Sequence, residues 1–335
     1  MAEMNRRLLL AARPTGMVDA SIVTQDEVAI PAPEPGQALV RVQFLSIDPT
    51  IRTWMDDAPG YLPPIGIGDV IRGAGVGTVL ASRSDRYAEG DLVFGMLGWQ
   101  DYVIGDEGPG AFQVLPAGVE PKLALNLFGV NGMTAYFGLL DVGQLRPDDT
   151  VVISGAAGAT GSAVGQIAKI KGAGKVVGLA GSDEKCRWIV EDLGFDEAIN
   201  YKTEPVGRRL REACPHGIDL YFDNVGGEIL NTCLGQIALR GRVVLCGAIS
   251  TYNEKGRPSG PGNYRTLIGR RGRMEGFIIL DYADRFPEAQ GAMFEWLLEG
   301  KIQHTEHVVH GLASAPDALN LLFTGGNTGK VVVEL

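Results

Sequence analysis

Residues 151–172 read VVISGAAGATGSAVGQIAKIKG, and this stretch decides the fold. Four strand-type residues, Val151 to Ser154, run into Gly155, Gly158 and Gly161, and an apolar-periodic helix follows from Ser162 to Lys171. Strand, glycine turn and helix N-terminus together form the device that holds a pyrophosphate. The turn lets the backbone come close, while the N–H groups and dipole of the helix start attract the anion. The spacing is GxxGxxG, with Ala156 where the commoner GxGxxG has its second glycine, and alanine is small enough not to forbid the approach. Glycines that merely pack a helix onto a strand would look the same in isolation. The units that follow argue for the binding device.

Downstream the strand-helix grammar repeats: strand Lys175 to Leu179, helix from Glu184, strand Ile218 to Phe222, helix from Glu228 and strand Arg242 to Cys246. Repeated β-α units predict a parallel, doubly wound sheet. Just upstream, KLALNLFGVNGMTAYFGLLDVG (residues 122–143) reads as helical. From Pro31 to about Val114 the text is different: short β-type runs such as QALVRVQFLSI and DLVFGML, cut by turns at Pro33-Glu34-Pro35-Gly36 and Ala88-Glu89-Gly90-Asp91. A second glycine cluster here, Gly73, Gly75 and Gly77, is followed by strand, turn and strand, so no helix start is present to receive a phosphate. It reads as a structural turn or bulge. Pro287 to Leu298 is helical, and the last segment, a helix, a Gly325-Gly326 stop and the strand KVVVEL, belongs in style with the first domain. The expected organisation is a β-rich domain of residues 1–125 plus 300–335, interrupted by an α/β domain of residues 126–299. The Gly- and Pro-rich stretch from Asn253 to Tyr264 reads equally as a solvated loop and as a lid.

Composition narrows the function. Glycine supplies 47 of 335 residues, about twice the usual ~7% share, which implies many tight turns or close backbone approaches. The net charge of -10 opposes binding to a phosphate backbone, so nucleic acid is not an expected partner. No apolar run approaches the roughly 18 residues of a membrane span. The four cysteines (Cys186, Cys214, Cys233 and Cys246) form no CxxC pair, so neither a disulfide framework nor a zinc knuckle is indicated and a reducing, cytoplasmic setting is expected. Arg6-Arg7 and the short run Leu8 to Ala12, ended by Arg13-Pro14, read as a first strand rather than a signal segment.

Which nicotinamide cofactor fits is read at the end of the second strand, where NAD enzymes place an acid for the ribose 2'-hydroxyl. Here the text is Ala180-Gly181-Ser182-Asp183-Glu184-Lys185. Ser182 can donate to a 2'-phosphate and Lys185 can supply the charge. Asp183 could serve an NAD ribose, yet it lies past the strand end, where a helix N-cap is the plainer role. NADP(H) is the favoured cofactor.

With these residues in hand, the chain resembles the zinc-independent, NADPH-dependent enone and alkenal reductases of the medium-chain dehydrogenase/reductase superfamily. These include the prostaglandin/leukotriene reductase and curcumin reductase types. The resemblance spans nearly the whole chain and rests on DPTIRTWM, IGDVIRGAGVG, GMLGWQDYV, GVNGMTAYFGLLDVG, the glycine turn, GSDEKC, YFDNVGGEIL, LCGAISTYN and GGNTGKVVVEL, in that order. It implies a GroES-like β domain with an inserted Rossmann domain, and a homodimer. It places Gly158, Ala159, Thr160 and Gly161 on the pyrophosphate and Lys185 on the 2'-phosphate. Also implied on the cofactor are Tyr201, Asn224, the stretch Cys246, Gly247, Ala248, Ile249, Ser250, Thr251 and Tyr252, the segment Phe277, Ile278 and Ile279, and Asn327. Asn224 and Asn327 sit beside glycines, so each also reads as a turn residue. Tyr61, Trp99 and Gln100 match positions lining the substrate side, with core packing as the alternative for the aromatics. Where the family often reads DPYMR this chain has Asp48-Pro49-Thr50-Ile51-Arg52, so a small hydroxyl replaces an aromatic ring; Gly155 and Thr160 depart from AAAGAVG without removing an N–H.

Reducing a carbon-carbon double bond beside a carbonyl needs a hydride, which NADPH supplies, and a group that holds the developing enolate oxygen. No cysteine precedes Cys186 and no histidine precedes His216, so the first-domain zinc set of the superfamily's alcohol dehydrogenases cannot be built. His304, His307 and His310 are close in sequence, but three-residue spacing on a strand turns neighbours to opposite faces. The expected donor is Tyr252, a phenol with an ordinary pKa of about 10 that stays protonated at neutral pH. Its alternatives are stacking on the nicotinamide or packing the loop. The predicted substrate is a small hydrophobic enone or alkenal. Two rival readings are an NADPH quinone oxidoreductase and a cofactor-binding protein that no longer catalyses.

Overall fold

Alternation of Val, Leu and Phe along QALVRVQFLSI gives the long strand Gln37–Ile47, which carries the first of two units. That unit comprises the chain up to Leu125 together with Glu306–Leu335, and the second comprises Asn126–Thr305. The structure, a computed structural model, describes residues 3–254, 256 and 260–335. Among these, no helix is long and apolar enough to cross a membrane.

In the first unit Gln37–Ile47 pairs antiparallel with Gly75–Ser82, Lys330–Glu334 and Tyr102–Asp106, at the heart of a mixed seven-stranded sheet. This is the GroES-like domain. The glycines of the second cluster serve this sheet. A β-carbon on Gly77 would stand 2.4 Å from the Arg41 carbonyl oxygen, and one on Gly75 would stand 2.8 Å from that of Phe44. The register between these strands shifts twice, and glycine lets the two backbones close over the irregularity. The closing strand Lys330–Glu334 is pinned by Lys330, whose buried Nζ donates to Ile47 O at 3.0 Å and to Asp48 Oδ1 at 2.6 Å.

The second unit is a six-stranded, wholly parallel sheet in the order Glu197–Asn200, Lys175–Ala180, Thr150–Ser154, Ile218–Asp223, Ile237–Leu245, Arg273–Gly276. This is the doubly wound Rossmann order, and the strand order reverses between Thr150–Ser154 and Ile218–Asp223. The decisive stretch folds as strand Thr150–Ser154, turn, and helix Ala159–Ile170, which begins three residues earlier than the periodicity predicts. Two corrections to the sequence reading arise here. Residues 122–143 are not one helix: they form Pro121–Leu125 and Val130–Phe137, the latter running into a wider turn at Gly138–Val142. The break is enforced at Gly132, where the chain folds back so tightly that a β-carbon would lie 1.9 Å from Leu127 O. Strand Glu197–Asn200 and helix Val206–Ala213 were not foreseen, because four residues and a helix rich in Arg show little apolar text.

Helix Ala159–Ile170 packs on Phe195 through Gly165, where an added β-carbon would meet Phe195 Cζ at 1.9 Å. Gly165→Ala should therefore overpack this contact and cost ~1–3 kcal/mol. Gly291, in the exposed middle of helix Phe286–Leu298 with nothing within 4 Å, should behave oppositely. Gly291→Ala should gain ~0.5–1 kcal/mol. Thermal unfolding midpoints of the two variants on either side of the parent check both signs.

Candidate cofactor and active site

The glycine turn is built for close approach. Gly155 has φ +59°, a left-handed conformation that glycine adopts without strain. A β-carbon on Gly161 would lie 2.4 Å from Gly155 O, so the turn doubles back on itself with no space to spare. Ala156 is tolerated because Gly178 faces it: the alanine Cβ fills the place beside a glycine that has no side chain. Helix Ala159–Ile170 starts at an extended Gly158, which has no side chain to cap it. Thr160 Oγ1 accepts from Asn131 Nδ2 at 3.4 Å.

Across the point of strand reversal lies a polar cluster that the sequence reading quoted without singling out. Asp223 ends strand Ile218–Asp223 and is fully buried. Its Oδ1 accepts from Tyr221 Oη at 2.7 Å, Ser154 Oγ at 3.0 Å, Gly226 N at 2.9 Å and Val225 N at 3.0 Å. Among the described residues its Oδ2 has no hydrogen-bond partner. Burial raises the Asp223 pKa above the ordinary carboxyl value, against the opposing pull of those donors. Next to it Asn224 donates from Nδ2 to Ser154 O at 2.7 Å and from its backbone N–H to Ser154 Oγ at 2.9 Å. Asn224 thus ties the two central strand ends together, and its amide nitrogen is engaged there.

The segment from Cys246 to Tyr252 hangs from this cluster. Cys246 and Gly247 N–H donate to Asp223 O at 2.9 and 3.0 Å, Ile249 N–H to Asn224 O at 3.3 Å, and Ser250 N–H and Oγ to Val225 O at 3.1 and 2.6 Å. Ile249–Thr251 forms one tight helical turn, closed by Thr251 N–H and Oγ1 on Ala248 O at 2.8 and 2.9 Å. The turn brings Tyr252 back, so that its phenol oxygen accepts from Ala248 N–H at 3.2 Å. Burial pushes the Cys246 thiol up to about 12, which keeps it from acting as a thiolate. Phe277 stacks edge-on against Tyr282 and rests over Gly138, and Ile278 leads into the turn Ile279–Arg285.

At the end of strand Lys175–Ala180, Ser182 is the N-cap of helix Asp183–Glu191 and its Oγ accepts from Lys185 N–H at 3.2 Å. This corrects the reading of Asp183 as cap: Asp183 is the first helical residue, and its Oδ1 accepts from Asn200 Nδ2 at 2.7 Å. Tyr201 Oη stands 2.8 Å from where a β-carbon of Gly181 would lie, and Lys202 Cε 3.3 Å from the same point. Burial lowers the Lys185 pKa, and the Lys202 charge lowers it further against the pull of Glu184.

In the β-rich unit the expected residues have different fates. Tyr61 is 45% exposed and meets Trp54 edge-to-face at 6.4 Å. Trp99 is 0% exposed: its indole fills the space left by Gly73, and its backbone bridges Leu8 and Ile71. It packs in the core here, the alternative that the sequence left open for the aromatics. The Gln100 amide donates to Leu97 O at 2.9 Å and accepts from Asn5 Nδ2 at 3.3 Å. Asn327 is buried and donates to Gly329 O at 3.0 Å, closing its own turn. His310 Nδ1 sits 3.4 Å from Glu334 Oε2. Among the described residues no group of three His, Cys, Asp or Glu side chains is placed to hold a metal ion. The lid reading of residues 253–264 falls in part on Lys255, Arg257, Pro258 and Ser259, which lie outside the described residues.

Comparison with known proteins gives a consistent set. Residues 6–114 match the family described as the N-terminal domain of oxidoreductase, and residues 159–295 match that described as zinc-binding dehydrogenase. The chain is 40% identical to the NADPH-dependent curcumin reductase of Escherichia coli K12, over 99% of this chain and 97% of that protein. It is 39% identical to the NADP(+)-dependent 2-alkenal reductase of Nicotiana tabacum, over 98% of this chain and 97% of that one. The crystal structure of CurA from Vibrio vulnificus in complex with NADPH superposes with a TM-score of 0.93, at 42% identity and 98% coverage of both chains.

The raised pKa of Asp223 has a pH consequence. Between the ordinary carboxyl value of about 3.9 and the raised one, the folded state binds more protons than the unfolded state, so stability falls as pH rises through that window. Asp223→Asn should flatten this dependence. Denaturant midpoints measured across the acid-to-neutral range check it, and parallel curves for parent and variant would contradict it.

Proposed function

The chain belongs to the medium-chain dehydrogenase/reductase family, in its branch of NADPH-dependent alkenal and enone reductases, and from this premise we propose that Tyr252 serves as its hydrogen-bond donor to the substrate carbonyl. The protein is an oxidoreductase that reduces the carbon-carbon double bond of α,β-unsaturated ketones and aldehydes with NADPH as cofactor. Support for the donor comes from one observation above all: Ala248 N–H pins the Tyr252 phenol oxygen at 3.2 Å, just past the carboxyl end of strand Ile237–Leu245. Open α/β sheets place their ligands at that end.

The residues present fit the dinucleotide. The turn closes on itself at Gly161 with no room for a side chain, and helix Ala159–Ile170 starts directly from it at an uncapped Gly158, the arrangement in which a helix start receives a phosphate. Gly158, Ala159, Thr160 and Gly161 would hold the pyrophosphate, and Ser182, Lys185 and Tyr201 the 2'-phosphate. The segments Cys246 to Tyr252 and Phe277 to Ile279, with Asn224, would flank the nicotinamide ribose and ring. When bound, NADPH supplies the hydride for the β-carbon.

The chain's own contribution is electrostatic. As the β-carbon is reduced, negative charge gathers on the carbonyl oxygen, and a phenol donor aimed there stabilises it more in the transition state than in the ground state. Tyr252 holds the enolate oxygen by its hydrogen bond, and solvent then protonates the α-carbon. The hydrophobic substrate would lie against Tyr61 and Gln100, with Trp99 supporting that wall from within the core. The division of labour is between a substrate domain, residues 1–125 plus 306–335, and an NADP(H) domain, residues 126–305. The missing first-domain Cys and His donors support a zinc-independent reaction. The free cysteines support a reducing, cytoplasmic setting. A homodimer is supported by the edge strand Arg273–Gly276 and by the nearby exposed Ile268 (75%) and Tyr264 (58%).

Two substitutions test these roles. Tyr252→Phe should lower kcat for an enone by about 10²-fold through loss of one oxyanion donor, with NADPH affinity little changed. Full turnover in that variant removes Tyr252 from the donor role. Lys185→Ala should weaken NADPH binding roughly 10- to 100-fold while NADH binding barely moves. An equal loss with both cofactors would take Lys185 off the 2'-phosphate.

A further inference from the structure

Lys185 does not stand alone at the strand end. Strand Glu197–Asn200 finishes on Asn200, whose side chain is only 4% exposed and is used at both ends. Its Nδ2 donates to Asp183 Oδ1 at 2.7 Å, and its Oδ1 accepts from Lys202 N–H at 3.1 Å. The backbone around it is equally fixed. Asn200 N–H donates to Glu204 Oε1 at 2.8 Å, and Asn200 O accepts from Thr203 and Glu204 N–H at 3.2 and 2.9 Å.

Two effects meet in this one amide. Asp183 is the acid that a strand-end position offers to a ribose 2'-hydroxyl, and Asn200 occupies one of its oxygens and turns it to the neighbouring strand. On its other side Asn200 holds the turn that lays Lys202 over Gly181, beside Tyr201 Oη. Lys202 comes near enough to Lys185 for the two positive charges to act on each other. Bringing like charges together costs energy, and an anion of two charges held between them would reverse the sign.

We propose that Asn200 is a specificity-determining positioning residue, which withdraws the Asp183 carboxylate from the ribose and delivers Lys202 as a second cation beside Lys185 for the 2'-phosphate. Asn200 is buried and both ends of its side-chain amide are engaged, so its action is exerted through Asp183 and Lys202. This rests on the NADPH reading above, and the test separates the two.

The test is calorimetric titration of the full chain with adenosine 2',5'-bisphosphate and with 5'-AMP, at matched ionic strength. The parent should bind the bisphosphate more tightly, and equal affinities would overturn the NADPH reading itself. Given that preference, Lys202→Met should lower bisphosphate affinity roughly tenfold and leave AMP unchanged. Asn200→Ala should reduce the same preference, and adding Asp183→Asn should restore part of it by removing the released charge. A purely structural role for Asn200 would weaken both ligands alike and would gain nothing from the second substitution. If Asn200→Ala does not fold, Lys202→Met decides alone, since that lysine is exposed: loss of preference supports the inference and an unchanged preference overturns it. Parent-like discrimination in both variants would overturn the inference and leave the NADPH reading standing.

Discussion

A β-carbon on Gly161 would stand 2.4 Å from the Gly155 carbonyl oxygen, and the rest of the site depends on that lack of room. Because the turn folds so tightly, the start of helix Ala159–Ile170 is brought against the end of strand Thr150–Ser154. The same tightness demands a small neighbour on the adjacent strand, which Gly178 provides for Ala156. A single larger side chain at any of these positions would move the helix start.

From the turn the order passes sideways through hydrogen bonds. Ser154 is held by Asp223 and Asn224, Asp223 O holds Cys246 and Gly247, and Asn224 O and Val225 O hold Ile249 and Ser250. The phenol of Tyr252 is thereby joined to the glycine turn by a chain of short contacts rather than hung on an independent loop. The buried Asp223 carboxyl gathers four donors on one oxygen, and burial keeps its pKa high. Several kinds of group thus converge at the carboxyl ends of the central strands, which are made rigid by polar groups whose partners are mostly backbone.

Much of this was legible in the sequence, for definite reasons. Strand residues followed by glycines and an apolar-periodic helix leave few alternatives, and the alternation in Gln37–Ile47 marks the sheet of the other unit. The decoy at Gly73, Gly75 and Gly77 was readable because no helix follows it. What was not legible depended on tertiary contact. The helix break near Gly132 arises from a fold-back onto Leu127, which no local periodicity records. Trp99 looks like a lining aromatic until Gly73 is seen to make its socket. Asn200 is one polar residue in a short strand, and its two partners, Asp183 and Lys202, become its neighbours only when the strands are laid side by side. Asp223 stood in a quoted motif, yet nothing local distinguishes a carboxyl with four donors from one in solvent.

The chemistry of this protein is reduction of an enone double bond at the expense of NADPH. The most direct measurement is the loss of NADPH absorbance with a medium-chain 2-alkenone, run beside NADH and beside a benzoquinone, with the product analysed for a saturated chain and an intact carbonyl. Turnover of the enone to the saturated ketone, with NADPH preferred over NADH, is the predicted result. Turnover of the quinone alone, or reduction of the carbonyl to an alcohol with the double bond retained, would contradict it.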